Sequence, residues 1–303
     1  MHESVLVLGG TGFLGHALIK FLNLQGYRVT SLSLMSSNRY SKEADVRYLK
    51  ADILDRTSLS TALEGHQFEY VINAAGFVDH SKFFEGGSFV IESHLHGLIN
   101  VLVSLEMTSL KRFINLGSVN EYGAIKVPFS EDASPVPETS YSFAKLASAE
   151  LLQTLYRENG FPAVTLRLCL VYGEGQETNR LLPQIIGGCL NNEETRLSDG
   201  SKMRDFMHVD DLQTAVLSAM VEPRANGTIL NVASGKPLTI QEVALKIRSL
   251  IGQGRLCFGK HKFSPSEPKD AYVDINRAND ILNWYPKVGI EIGLKRMVSF
   301  YSR

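Results

Sequence analysis

An α/β fold, a doubly wound parallel sheet with a smaller C-terminal lobe, is what the sequence predicts, and three observations predict it. An apolar run, Val5-Leu6-Val7-Leu8, leads straight into glycines spaced Gly9-x-x-Gly12-x-x-Gly15 and then into a helical pattern. Strand-like runs go on alternating with helical patterns as far as residue 170, which implies parallel strands joined by right-handed crossovers. Beyond Gly173 the elements become shorter, the mark of a lobe built beside the sheet.

In order, the pattern predicts a first strand at 5–8, a helix over 13–25, and strands at 28–34, 46–49 and 70–74. A long helical stretch over 89–105 leads to a strand at 112–116 and then to a polar loop holding Pro128, Pro135 and Pro137. That loop is long enough to be functional. A helix over 140–158 and a strand over 163–170 complete the main sheet, and helices follow at 181–190, 209–221, 240–251 and 291–301. The domain reading is 1–173 for the dinucleotide-binding part and 174–303 for most of the substrate lobe, with some of its segments returning to the sheet.

The glycine spacing directly after an N-terminal strand reads as the dinucleotide-binding turn of a Rossmann sheet. Gly9 turns the chain out of the strand, Gly12 lets backbone approach a pyrophosphate, and Gly15 lets the helix pack closely, with phosphates at its N-terminus. The composition adds bounds. With 303 residues, 44% hydrophobic and 21% charged, the chain has material for a large domain and a lobe, and its net charge of -1 gives no general attraction to nucleic acid. Cys169, Cys189 and Cys257 are far apart and form no Cys-x-x-Cys pair, so neither a disulfide framework nor a metal site is expected. The glycine turn is reached by residue 9 and no apolar run approaches the roughly 18 residues of a membrane span. A cytoplasmic protein with no membrane partner is expected.

Tyr141-Ser142-Phe143-Ala144-Lys145 sets a phenol and an ammonium at i and i+4, on one face of a helix. With Ser118 at a strand end, this suggests proton transfer to an oxygen that changes between carbonyl and alcohol. A tyrosine near its ordinary pKa of about 10 is a poor acid or base; a nearby ammonium and the positive ring of an oxidised cofactor would favour phenolate. The same spacing also arises by chance on any helix, and its coincidence with the glycine turn is what gives it weight.

On these residues the chain resembles the extended short-chain dehydrogenase/reductase family, in its nucleotide-sugar epimerase, dehydratase and reductase branch, over essentially its whole length. The resemblance implies a catalytic Ser118, Tyr141 and Lys145. It implies cofactor contacts from Gly9, Thr11, Gly12, Phe13, Leu14 and Gly15, from Asp52 and Ile53 at the adenine, from Ala74, Ala75 and Gly76 beside the nicotinamide, and from Tyr141 and Lys145 themselves. The stretch from Asp199 to Asp211 is a longer match, in which Arg204 would reach the substrate phosphates; a surface salt bridge with Asp205 or Asp210 is the plainer reading of Arg204. His208 is expected to support a helix start. Ser81, Val119, Asn120, Glu121 and Asn179 are the remaining substrate candidates, with Lys82, Phe83, Gln176 and Leu182 as neighbours. The helices over 89–105 and 140–158 match those through which such proteins form homodimers.

Four departures from the family pattern shape the expected function. Where NAD-preferring members end the second strand with an acid, this chain has Ser33, and no Asp or Glu occurs between Gly15 and Glu43. Ser33 and Arg39, with Ser36, Ser37 and Asn38, offer donors to a ribose 2′-phosphate, so NADP is favoured and NAD is the alternative. The dehydratase acids after the catalytic Ser/Thr are replaced by Val119 and Asn120, which argues against dehydration. Ser264 stands at the position of a second phosphate-binding arginine, with Lys260, His261, Lys262 or Lys269 as substitutes, and Leu170 stands where many epimerases carry asparagine. The leading expectation is NADPH-dependent reduction of the C4 keto group of a nucleotide-linked 4-keto-6-deoxy sugar. An NAD-dependent nucleotide-sugar 4-epimerase is the alternative. A catalytically inactive cofactor sensor would be expected to lose Tyr141 or Lys145, and both are present.

Overall fold

The computed structural model describes residues 3–35, 40–260 and 269–303. The elements in chain order are β1 (Ser4–Leu8), α1 (Phe13–Leu24), β2 (Arg28–Ser33), β3 (Arg47–Lys50), α2 (Arg56–Leu63), β4 (Tyr70–Asn73), α3 (Gly87–Ile91), a π-helical segment (Glu92–His96) and α4 (Gly97–Ser104). Then come β5 (Arg112–Ser118), α5 (Ser140–Asn159), β6 (Ala163–Leu168), β7 (Leu170–Tyr172), α6 (Leu181–Leu190), β8 (Glu194–Arg196), β9 (Met203–Arg204), β10 (Phe206–His208) and α7 (Val209–Val221). The chain closes with β11 (Thr228–Val232), β12 (Leu238–Thr239), α8 (Ile240–Ile251), β13 (Arg255–Cys257), α9 (Asn276–Leu282) and α10 (Ile290–Tyr301).

Seven parallel strands form the central sheet in the order β11-β6-β5-β4-β1-β2-β3. The all-apolar sequence of β1 follows from its place in the middle, covered on both faces. Val5 and Val7 enter one core with Leu18, Leu22 and Val216, while Leu6 and Leu8 enter the other with Leu59, Val101 and Leu152. Side chains that alternate across the strand therefore feed two helical layers, α1 with α7 on one side and α2, α4 and α5 on the other. A third core, holding Ile185, Ile186, Val243, Ile247 and Met297, joins α6, α8 and α10 in the lobe.

The strand order reverses between β1 and β4, and the crevice at the carboxyl ends of these strands is where such sheets receive ligands. One feature differs from the linear reading. The strand expected over 163–170 breaks at Cys169: its N–H bonds Val232 on β11, the next N–H bonds Asp205, and β7 leaves the main sheet to pair with β10. After the lobe has begun, α7 returns to pack against α1 and β5, and β11 adds the seventh strand. Residue 173 is thus a change of partner for the chain and not a clean boundary. Among the described residues no helix is long and apolar enough to cross a membrane.

Candidate active site

The last residue of β5, Ser118, opens the site. Its Oγ accepts from the N–H of Asn120 at 3.2 Å, and its own N–H donates to Glu121 Oε1 at 2.7 Å. The second carboxylate oxygen of Glu121 accepts from Arg167 Nε at 2.7 Å, and this ion pair is closed to solvent, at 0% and 2% exposure. The Arg167 guanidinium stacks over the Tyr122 ring at 4.5 Å, and the Tyr122 hydroxyl donates to Asn231 at 2.8 Å. Glu121, expected at the sugar, is corrected by this geometry. A buried carboxylate must be paired, and Arg167 on β6 draws it into the sheet behind Ser118.

Helix α5 supplies the other two groups. It starts at Thr139, whose hydroxyl accepts from the Ser142 N–H while Ser142 Oγ accepts in return from the Thr139 N–H. That capping box sets Tyr141 in the first turn and Lys145 one turn on, both facing the end of β5. Lys145 Nζ donates to the Leu116 carbonyl at 2.8 Å, and burial brings its ammonium down to about 8, against the opposing pull of Glu121. Burial pushes the Tyr141 phenol up to about 12, opposed by a hydrogen bond with Ser118 and by the Arg180 cation. Desolvation thus acts on Tyr141 against the expected pull toward phenolate.

The glycine turn forms the other end of the site. A Cβ on Gly15 would overlap the Gly9 carbonyl oxygen, so the helix approaches the turn with bare backbone. The N-terminus of α1 has no side-chain cap and no acid in its first turn, which leaves N–H groups for an anion. A cleft of about 620 Å³ runs from Gly12, Phe13, Leu14 and Gly15, past Ala74, Ala75 and Gly76, to Ser118, Tyr141 and Lys145. It continues between Val119, Asn120, Leu168, Cys169 and Leu170 toward Gln176, Arg180, Leu182 and Arg204. The volume suits a bound organic cofactor or substrate. A smaller pocket of about 80 Å³ adjoins the turn, lined by Thr11, Ser33, His16, Tyr40, Lys42, Lys50 and neighbours. There Ser33 Oγ accepts from the Thr11 N–H at 3.2 Å. Among the described residues no carboxylate lines this pocket.

Other expected residues fall as follows. Ser81 and Asn179 do not line the cleft: Ser81 is held by its N–H to Asp79 at 2.7 Å, and Asn179 is exposed on the turn before α6. Lys82 and Phe83 are likewise outside it, whereas Gln176 and Leu182 line it. Asp52 accepts from the Leu54 N–H at 2.9 Å and shapes the turn before α2, and Ile53 packs on Gly97 of α4. Arg204 faces the cleft, and its Nη1 donates to the carbonyls of Met203 at 2.8 Å and Lys269 at 2.9 Å. Asp205 instead caps the Ser234 turn and Asp210 pairs with Arg296. His208 accepts from the Asp210 N–H and so caps α7. Arg39, Ser36, Ser37, Asn38, His261, Lys262 and Ser264 lie outside the described residues. No group of three or more His, Cys, Asp or Glu among the described residues could hold a metal ion.

Sequence reasoning missed His94, Arg180 and the pairing of Arg167 with Glu121. A charged residue inside the otherwise apolar run of β6 is the signal that would have found Arg167. His94 is 7% exposed, lines the cleft and meets the Tyr141 ring edge-on.

With this geometry in hand, comparison with known proteins gives consistent results. The model of the NAD dependent epimerase/dehydratase family matches residues 5–233. A UDP-glucuronate 4-epimerase of Thermodesulfobacterium geofontis is 25% identical over 311 residues, covering 97% of this chain and 95% of that one. A dTDP-glucose 4,6-dehydratase of Xanthomonas campestris is 25% identical over 327 residues, covering 98% and 92%. The solved UDP-glucose 4-epimerase of Thermotoga maritima shares the fold at a TM-score of 0.92, with 24% identity and coverage of 99% and 98%.

Proposed function

The chain belongs to the NAD dependent epimerase/dehydratase family, and from that premise we propose that it is an NADPH-dependent reductase acting on the C4 keto group of a nucleotide-linked 4-keto-6-deoxy sugar. The observation that carries the reading is the small pocket at the end of β2. Ser33 turns a hydroxyl to the glycine turn, and Lys42 and Lys50 bring cations where a carboxylate would repel a 2′-phosphate. A preference for NADPH fits net reduction.

When bound, the reduced nicotinamide supplies the hydride. The chain's own residues handle the oxygen. Ser118 holds the C4 oxygen by its hydroxyl, and Tyr141 delivers its phenol proton to it as it becomes an alkoxide. Lys145, anchored to the Leu116 carbonyl, keeps its charge beside the developing phenolate. Val119, Leu168, Cys169 and Leu170 form an apolar stretch of the cleft, which suits a sugar with a methyl at C6 better than one with a carboxylate. Arg180 and Arg204 are the cations for the diphosphate. Most of 174–303 then serves as the substrate lobe, apart from α7 and β11. Phe89, Val103 and Phe143, exposed on α3, α4 and α5, support a homodimer through these helices.

The relatives favour a second reading, a nucleotide-sugar 4-epimerase, since one of them is a UDP-glucuronate 4-epimerase. An epimerase would begin with the reverse of the step above, the proton leaving the C4 hydroxyl and the hydride leaving C4, and would use the same three residues. One assay separates the readings: absorbance at 340 nm with NADPH and a panel of CDP-, dTDP-, GDP- and UDP-linked 4-keto-6-deoxy sugars. Stoichiometric loss of NADPH with a product heavier by two hydrogens is expected; interconversion of 4-hydroxy epimers without net consumption would overturn it.

A further inference from the structure

His94 stands against the triad without a task in the chemistry above. It lies in the π-helical segment Glu92–His96, where one extra residue per turn pushes a side chain out of the regular helical stripe. Its Nε2 bonds the Phe77 carbonyl at 2.9 Å. Because a carbonyl only accepts, Nε2 carries the proton and the imidazole is a donor there. The ring also meets the Tyr141 ring edge-on, with centroids 5.5 Å apart and planes at 77°. Gly76, at φ +111°, closes down on the same ring so tightly that a Cβ would overlap it. Ser148 Oγ on α5 reaches the His94 carbonyl at 3.5 Å. One side chain thus touches the turn after β4 and the proton donor on α5.

We propose that His94 is a positioning residue that acts through Tyr141: its N–H fixes the Gly76–Phe77 turn and its ring fixes the plane of the phenol. The inference rests on the reading of Tyr141 as proton donor. The pair of contacts explains the residue type. Asparagine has the N–H and no ring, and leucine has neither. Burial, followed by the Lys145 charge, holds the imidazole neutral down to about 3, against the opposing bond to Phe77, so the same contacts persist across the working pH range. His80 makes a second edge contact with Tyr141 at 5.7 Å, but from an exposed position.

Two measurements test the proposal. In steady-state kinetics, His94→Leu is expected to lower kcat by at least about tenfold, with substrate KM and NADPH affinity within about twofold of wild type. His94→Asn, which keeps the donor but loses the ring, should fall between the two, about three- to tenfold below wild type. Wild-type kcat in His94→Leu or in His94→Asn, or a loss that follows KM or cofactor affinity, would overturn the assignment. The second measurement uses the unliganded protein. Nitrogen NMR of ¹⁵N-histidine protein, with His94 identified by difference from His94→Asn, should show a neutral ring protonated at Nε2 from about pH 5 to about pH 9. A ring that titrates in that range, or carries its proton on Nδ1, would overturn the proposal even if His94→Leu does not fold. No turnover of any keto sugar by the wild-type protein would count against the reductase reading, and the tautomer would still decide this inference.

Discussion

The two walls of the cleft hold their polar groups in different ways. On the wall made by β4, β5, the π-helical segment and α5, Ser118, Tyr141, Lys145 and His94 are all buried, and each is fixed by a strand end, a capped helix or a bond to main chain. Behind them lies the closed Glu121–Arg167 pair. On the wall made by the turn before α6, Glu177 and Arg180 are exposed, and they meet at 3.5 Å with both side chains over 40% open, at 49% and 44%. On the proposed reading, the difference teaches that proton transfer would use groups the fold over-determines, while Arg180 at the diphosphate would be a side chain that costs the fold little.

The comparison breaks most visibly if the buried wall proves dispensable. Glu121→Ala leaves the Arg167 guanidinium buried without its carboxylate and the Ser118 N–H without an acceptor. Urea unfolding should show a loss of about 3–5 kcal/mol, and a loss below about 1 kcal/mol would remove the pair from this account. Tyr141→Phe should cut turnover at least about a hundredfold while NADPH binding, followed by fluorescence, stays unchanged. Unchanged turnover would take Tyr141 out of the mechanism. Ser33→Asp keeps an acceptor for the Thr11 N–H but adds a charge facing the 2′-position. The ratio of NADPH to NADH affinity should fall about tenfold, near 1.4 kcal/mol. Equal effects on both cofactors would sink the 2′-phosphate reading. The smallest effect belongs to the open wall: Glu177→Ala should leave stability within about 0.5 kcal/mol of wild type, checked by the same unfolding curves.

The same division decides what was legible in the sequence. The glycine turn could be read because its backbone tolerates no side chain at Gly15, and the Tyr141–Lys145 pair because i and i+4 share a helical face. The strands of the main sheet were legible as short runs rich in apolar residues that alternate with helical patterns. Glu121 was misread because its partner, Arg167, is distant in sequence and only the register of β5 beside β6 brings them together. His94 was passed over because a π-helical segment breaks the 3.6-residue period on which a helical stripe is judged. Helix α2, capped by Asp55 with Leu59 and Leu63 buried, went unmarked, since its eight residues give too short a stripe. The placing of Ser81 and Asn179 at the substrate failed for a different reason: both sit on turns, whose paths no spacing encodes. The burial that raises the Tyr141 phenol went unweighed because neighbouring charge can be counted in a sequence and desolvation cannot.

The most direct test of the central claim, net hydride delivery from NADPH to the sugar, uses NADPH carrying deuterium at nicotinamide C4 with a 4-keto-6-deoxy sugar nucleotide. After resolving which face of the nicotinamide is used by running both labelled forms, the account predicts that one of them gives a product with a single deuterium at sugar C4 and an equal amount of NADP. A product without deuterium from either form, or epimerised 4-hydroxy sugar with no NADP formed, would contradict it.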